Sequence, residues 1–308
     1  SLSDDAAAAE IERLQIDVLV DVNGYTRGHR VGILARRPAA VVAGYLGFPG
    51  TSGSSSLDYL VADRWIVPPQ ERAHYSESLA FLPSATLPRD GSWMDAAPRP
   101  SRDSEGLQDN QVVLLAMSPR KFTPEVFAVW CRALHGTPDA VLWVHGASSI
   151  AADNLRIEAA SRGVDPTRLV FAQRVDDRGA HLGRLALADL MVDTFPYNAH
   201  ATAVDSMIAG VPLVTVSGRG LASRVGGALV RQAGAPELAT STLSEYEALL
   251  MRLAAEREIL RSHAARMRAS GFGGRRDVEE YVRALELAWL RMHESAIVGT
   301  RGDFDAVA

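Results

Sequence analysis

Lys121 is the only lysine in the chain, and the other 31 of its 32 basic residues are arginine. A lysine among so many arginines invites a chemical reason. Its ammonium is a compact, rotatable point charge, whereas guanidinium is a planar fork. Such a charge suits a phosphate oxygen or an anionic leaving group; the plainer alternative is a lysine surviving on a solvated face. A second candidate is Asp193-Thr194-Phe195-Pro196-Tyr197-Asn198-Ala199-His200-Ala201-Thr202, which runs into a helix. Backbone N–H groups at Ala201, Thr202 and Ala203 would open that helix, where the dipole favours an anion. The Thr202 hydroxyl adds a donor, and His200 donates when protonated or in the right tautomer. With a lysine opposite, these groups make a diphosphate clamp. An ordinary capped helix beside an exposed histidine is the alternative. His181 opens another helix after Arg174 and Arg178, where a structural histidine is the plainer account.

Other chemistries lack their residues. No GxxxxGK[ST] or GxGxxG sequence follows a predicted strand, which argues against a P-loop NTPase or a dinucleotide dehydrogenase. His29, His145, His181 and His200 lack zincin spacing, and Asp176-Asp177 sits in a charged loop, so no metal site is expected. There is no GxSxG elbow for a serine hydrolase. The lone Cys131 excludes an internal disulfide and reads as a buried, inert thiol in a helix. A reducing cytoplasm fits that usage.

The elements that must position these groups follow a βα rhythm. The chain has 308 residues, 47% apolar and 22% charged, and a net charge of −5. That length predicts two domains, and the charge gives no case for nucleic acid or an anionic membrane. No apolar run approaches the ~20 residues that span a bilayer. The polar start reads as no signal peptide, and the missing initiator Met suggests a fragment or processed product. Strands are expected at Ile16–Val22, Ala40–Leu46 and Tyr59–Val61, after a helix at Asp4–Leu14. From Ser84 to Asn110, Pro, Ser, Gly and Asp predict an extended linker with little to bury. Strands then recur at Val112–Ala116, Ala140–His145, Leu169–Phe171, Leu190–Val192 and Pro212–Val216, separated by helices. Helices at Ser244–Ala269 and Val278–His293 follow, with a frayed tail from Ser295. The expected organisation is a partial Rossmann-like domain over 1–84, a linker over 85–110, a Rossmann-like domain over 111–275, and a helix and tail over 276–308. Ligands of open α/β sheets bind beyond the carboxyl ends of the strands. Lys121 and the Asp193–Asp205 segment both fall there.

Several blocks resemble a known family. Arg37-Pro38-Ala39, then Tyr45-Leu46-Gly47-Phe48-Pro49-Gly50-Thr51-Ser52-Gly53 and Asp58-Tyr59, is similar to the RPAP…LGYPGTSG…DY block of the O-GlcNAc transferase and SPINDLY group, glycosyltransferase family 41. Asp193–His200, Ala209-Gly210-Val211-Pro212 and Ala222-Ser223-Arg224-Val225 match as well, in register from about Asp4 to Glu247. The resemblance implies a GT-B fold, α/β, with two Rossmann-like domains facing a cleft and the N-terminal one incomplete. It implies an inverting, metal-independent protein O-glycosyltransferase that moves GlcNAc from UDP-GlcNAc to Ser or Thr hydroxyls. No cofactor is then expected; the partners are the nucleotide sugar and a protein or peptide acceptor, with upstream helical repeats missing from this chain. By position, Lys121 stabilises the departing UDP. His200, Thr202 and Asp205 contact phosphate and ribose, with Ala201 at the same helix start. His181 lies beside the base, and Thr26, Pro49, Gly50 and Tyr197 lie near the donor sugar and diphosphate. The chain departs from the family pattern in several places: Met117-Ser118-Pro119-Arg120-Lys121 stands for an NxxYK-like approach to the lysine, Ser118 replaces a phosphate-holding Gln, Ala201 replaces the first residue of a Thr-Thr pair, and the loop before His181 is one residue longer. A GDP-fucose-dependent, SPINDLY-like transferase and a catalytically silent nucleotide-binding fragment are the alternatives.

Overall fold

The structure is a computed structural model describing residues 2–94 and 97–307. Its contacts group the chain into two compact units. The first comprises the chain up to Pro88, Gly220–Ala222 and the chain from Val278 onward; the second comprises Arg89–Arg219 and Ser223–Asp277.

The first unit begins with α1 (Asp4–Arg13), β1 (Val18–Asp21), α2 (Val31–Ala35), β2 (Val41–Gly44), β3 (Tyr59–Asp63) and β4 (Ser78–Leu82). The second runs β5 (Val112–Met117), α3 (Pro124–Gly136), β6 (Ala140–His145), α4 (Ser149–Ser161), β7 (Leu169–Ala172), α5 (Arg178–Leu185) and β8 (Leu190–Val192). It continues through α6 (Ala201–Ile208), β9 (Leu213–Val216), α7 (Val225–Gln232), β10 (Ala239–Thr240), α8 (Leu243–Ala255) and α9 (Arg257–Ala269). The chain closes with α10 (Arg275–Val298) and β11 (Phe304–Asp305).

In the second unit all six strands are parallel, in the order β10-β9-β8-β5-β6-β7. Strand β5, Val-Val-Leu-Leu-Ala-Met, is buried at every position. A parallel strand covered by helices on both faces needs such a continuous apolar run. The order reverses at β5 and β8, and the crevice at that switch point is where doubly wound sheets bind nucleotides.

The first unit holds a five-stranded parallel sheet, β1-β2-β3-β4-β11. Only three strands were expected there. Strand β4, Ser-Leu-Ala-Phe-Leu, is a short apolar run against the Pro- and Ser-rich stretch, which hid it. The tail expected to fray adds the fifth strand: Phe304 pairs with Ala80 in register, and Phe304 and Ala306 are buried. On α10, Tyr281, Ala284, Ala288 and Met292 recur at helical spacing and pack on Val41, Tyr59, Val61 and Leu82. The long helix expected over Ser244–Ala269 breaks at Glu256, whose φ of −102° and ψ of 77° leave the helical region. Nor is the Pro- and Ser-rich segment without burial. Leu107 is buried, and Arg89 is buried with a bidentate bond to Asp277 at 2.5 and 2.6 Å.

Candidate functional site

Site-forming residues of the second unit gather at the switch point. After β5 the chain turns at Ser118, whose φ of 60° is left-handed, and a short 3-10 turn, Pro119–Lys121, follows. The turn is tied down at both ends: Ser118 N–H donates to His145 O, and Lys121 N–H to Ser118 O. This geometry directs Lys121 toward the segment after β8. Its Nζ donates to Asn198 O at 2.8 Å and lies 4.2 Å from the centre of the Tyr197 ring. Burial lowers the Lys121 pKa, the negative charge of Asp193 pulls it back up, and Arg120 pushes it down again.

The turn Asp193–His200 is held from beneath. Asp193 is fully buried; its Oδ1 accepts from the backbone N–H of Thr194 at 2.8 Å and of Ala199 at 2.6 Å, and its Oδ2 accepts from Thr215 Oγ1 at 2.6 Å. Burial pushes its carboxyl pKa up to about 6 despite these bonds. Asn198, also fully buried, donates from Nδ2 to Thr194 O and Val216 O, and its Oδ1 accepts from Gly226 N–H. From α8, Tyr246 OH donates to Asp193 O at 3.0 Å and itself accepts from Trp130 Nε1 at 2.9 Å. The turn contains a cis Phe195–Pro196 bond. It leaves Tyr197 exposed and stacked on His200, with ring centres 4.9 Å apart.

His200 is the N-cap of α6. The first N–H groups of a helix have no carbonyl one turn earlier to bond, so those of Ala201 and Thr202 can meet an anion, whereas the Ala203 N–H, expected to be free as well, donates to His200 O at 2.9 Å. Asp205, one turn on, is committed: it accepts from Arg178 at 2.7 and 3.3 Å, and His181 Nε2 stands 3.8 Å away. Burial lowers the His181 pKa, with Asp205 opposing and Arg184 and Arg178 reinforcing the shift. Behind it His145 is buried, and burial beside Arg184 and His181 drops its pKa well below the ordinary value. Ser118, Lys121, His181, Tyr197, His200, Ala201, Thr202 and Asp205 therefore share the carboxyl ends of one sheet.

Thr26, Pro49 and Gly50 lie in the first unit. Thr26 Oγ1 donates to Asn23 O at 2.8 Å, and Gly50 N–H donates to Phe48 O. The loop of Pro49 and Gly50 is anchored by Glu77, which is fully buried and accepts from Thr51 Oγ1, Ser52 N–H and Ser52 Oγ at 2.5–2.6 Å. Gly47, at φ 63°, is required there, because a Cβ would meet Val22 O at 2.5 Å. Glu77 escaped the reading of the sequence, and Asp193, Asn198 and Arg178 were named there without these supporting roles. The available signal was a polar residue inside a strand-end motif, which does not say whether its side chain points out to a ligand or in to the backbone. Among the described residues, no group of three or more His, Cys, Asp or Glu could hold a metal ion, and no helix is long and apolar enough to cross a membrane.

Two parallel α/β units in one chain, one of them doubly wound with polar turns at its switch point, place the chain in the GT-B fold class. The family model "Glycosyl transferase family 41" matches residues 2–96 and 95–282, and the chain belongs to that family. It is 32% identical over 300 residues to the probable UDP-N-acetylglucosamine–peptide N-acetylglucosaminyltransferase SEC of Arabidopsis thaliana, covering 95% of this chain and 31% of that protein. It is 29% identical to the similarly described SPINDLY of Oryza sativa subsp. japonica, covering 92% of this chain and 31% of the relative. The chain thus spans about a third of the length of these curated relatives. Among solved structures, a mutant of the Thermobaculum terrenum O-GlcNAc transferase superposes with a TM-score of 0.83 at 27% identity, over 97% of this chain and 57% of that one. Trehalose-6-phosphate synthase OtsA shares the fold alone, with a TM-score of 0.55 at 13% identity over 96% of this chain and 75% of that one.

Proposed function

We propose that this chain carries the donor site of a protein O-glycosyltransferase that moves GlcNAc from UDP-GlcNAc to Ser or Thr hydroxyls, with inversion and without a metal, in the cytoplasm. The observation that carries the reading is Lys121, half-buried at the switch point beside the open N-terminus of α6. In the reaction, the acceptor hydroxyl oxygen forms a bond to the anomeric carbon and gives up its proton to solvent water as the bond from that carbon to the β-phosphate oxygen breaks. The electron pair leaves with UDP, and Lys121 with the N–H groups of Ala201 and Thr202 stabilises the developing charge. Thr202 adds a hydroxyl to the phosphates, Ser118 borders them, and His181 and Asp205 flank the nucleoside. Family membership supports the transfer chemistry, and the names of the relatives support the donor and the peptide acceptor.

One preorganised donor of this kind is worth on the order of 3–4 kcal/mol in the transition state, about a hundred- to a thousandfold in rate. Lys121→Met should therefore lower transfer by at least about a hundredfold, and Lys121→Arg should retain little, because a planar fork cannot replace a point charge at this turn. Near-normal turnover in Lys121→Met would remove the claim. Calorimetry with UDP and GDP in parallel decides the nucleotide: tighter GDP binding overturns the UDP assignment.

A further inference from the structure

Burying a carboxylate without an ion pair is costly, and proteins place one only where its hydrogen bonds do something specific. Among the described residues Asp193 forms no ion pair, yet it is fully buried beneath the turn that meets Lys121. Its Oδ1 takes the N–H groups of both Thr194 and Ala199 and so closes the turn between them. The carbonyl presented to Lys121 Nζ, Asn198 O, belongs to the residue immediately before Ala199. The helix start at Ala201 is two residues beyond it.

We propose that Asp193 is a positioning residue for the nucleotide site, acting in two ways: its carboxylate fixes the turn that aims Asn198 O and the start of α6, and its buried negative charge attracts the Lys121 ammonium that Asn198 O holds. The second action is through space, since no bond joins the two side chains. Burial alone would favour a neutral amine on Lys121, and Arg120 adds to that tendency; Asp193 is the group that opposes both. Besides the N–H groups of Thr194 and Ala199, four groups among the described residues face Asp193. They are Thr215 from β9, Gly226 from the start of α7, Tyr246 from α8 and the Lys121 charge.

Two substitutions separate the two actions. In Asp193→Asn, Oδ1 can still accept from both N–H groups, while Nδ2 donates to Thr215 Oγ1, which turns from donor to acceptor. The turn is kept and the charge is lost. In Asp193→Ala both are lost. Because Lys121 is the only lysine, the chain labelled with 13C-lysine gives a single Cε resonance, whose titration reads the Lys121 pKa directly, with no ligand present. The midpoint should be lower in Asp193→Asn than in the wild type; an equal or higher midpoint overturns the electrostatic action. UDP affinity at pH 7 should stay within about threefold in Asp193→Asn and fall about tenfold or more in Asp193→Ala, in line with two lost buried hydrogen bonds. Unchanged affinity in folded Asp193→Ala overturns the positioning action. Should Asp193→Ala not fold, a Ser118–His200 amide spectrum of Asp193→Asn that matches the wild type supports a turn held by bonds rather than charge, and a dispersed change there overturns it. The inference rests on the donor-site reading only for UDP. A shifted Lys121 midpoint with no UDP binding by the wild type would sink that reading and leave the electrostatic action standing.

Discussion

The Asp193 carboxyl, raised from 3.8 to about 6 by burial, makes stability depend on pH in the direction opposite to that of most carboxylates. Its folded pKa lies above its unfolded one, so the protonated form favours the folded state. The associated stability is fully present below about pH 4 and is lost as pH rises through about 6. The two pKa values correspond to about 3 kcal/mol at most. Urea denaturation of the wild type and Asp193→Asn at pH 5 and pH 8 isolates this contribution: the wild type should gain on the variant at pH 5. An unchanged difference at the two pH values would refute the buried, raised carboxyl. Glu77 behaves the other way. Burial works to raise its pKa, but the bonds from Ser52 and Thr51 outweigh burial and hold it below the usual value. Its contribution is present at neutral pH and is lost as pH falls through that depressed pKa. Glu77→Gln should accordingly lose stability against the wild type at pH 7 and approach it in acid, as read by the same denaturation.

At the scale of elements, the tight packing of α7 on the turn is the feature most open to a single change. A Cβ at Gly226 would stand 2.4 Å from Thr215 Oγ1 and 2.6 Å from Asp193 Oδ2. Alanine would help the helix by ~0.5–1 kcal/mol. Overpacking a full core costs about 1–3 kcal/mol, so the net effect is a loss. Gly226→Ala should lower the urea midpoint and weaken UDP binding together, because the displaced groups are those that hold the turn. A stabilised variant with intact affinity would show that the helix start has room. The same turn shows why strand-end logic found Lys121 and the α6 start but missed their support. Beyond a parallel strand the chain must reverse into a helix, and that alone exposes N–H groups at Ala201 and Thr202. Which polar side chains of the reversal point inward is decided by β9, α7 and α8, all later in the sequence.

At the scale of the whole chain, the first unit is assembled from both ends of the sequence. Strand β11 lies beside β4, Leu79 N–H donates to Asp303 at 2.9 Å, and Phe304 meets the Tyr59 ring edge-on at 5.7 Å. Removing a buried phenyl costs roughly 3–5 kcal/mol, so Phe304→Ala should sharply lower the unfolding midpoint of this unit, followed by hydrogen exchange at Val61 and Leu79. Exchange unaltered at those amides would mean the tail is dispensable. The sequence by itself determined the βα alternation, because strands covered on both faces must be apolar throughout, as in Val112–Met117. It determined the singular Lys121, which is a matter of composition, and the strand-end turns, which are a matter of local order. The resemblance to family 41 was legible in its Pro49–Gly53 and Pro196–His200 blocks. Tertiary structure alone decided the rest. A two-residue strand such as β11 has no periodicity to read; it exists because β4 offers it an edge and Tyr59 a surface. The bonds of Asp193, Asn198 and Glu77 depend on burial, which is set by elements distant in the chain. A buried carboxylate and a solvated one are the same letter until the fold removes the water.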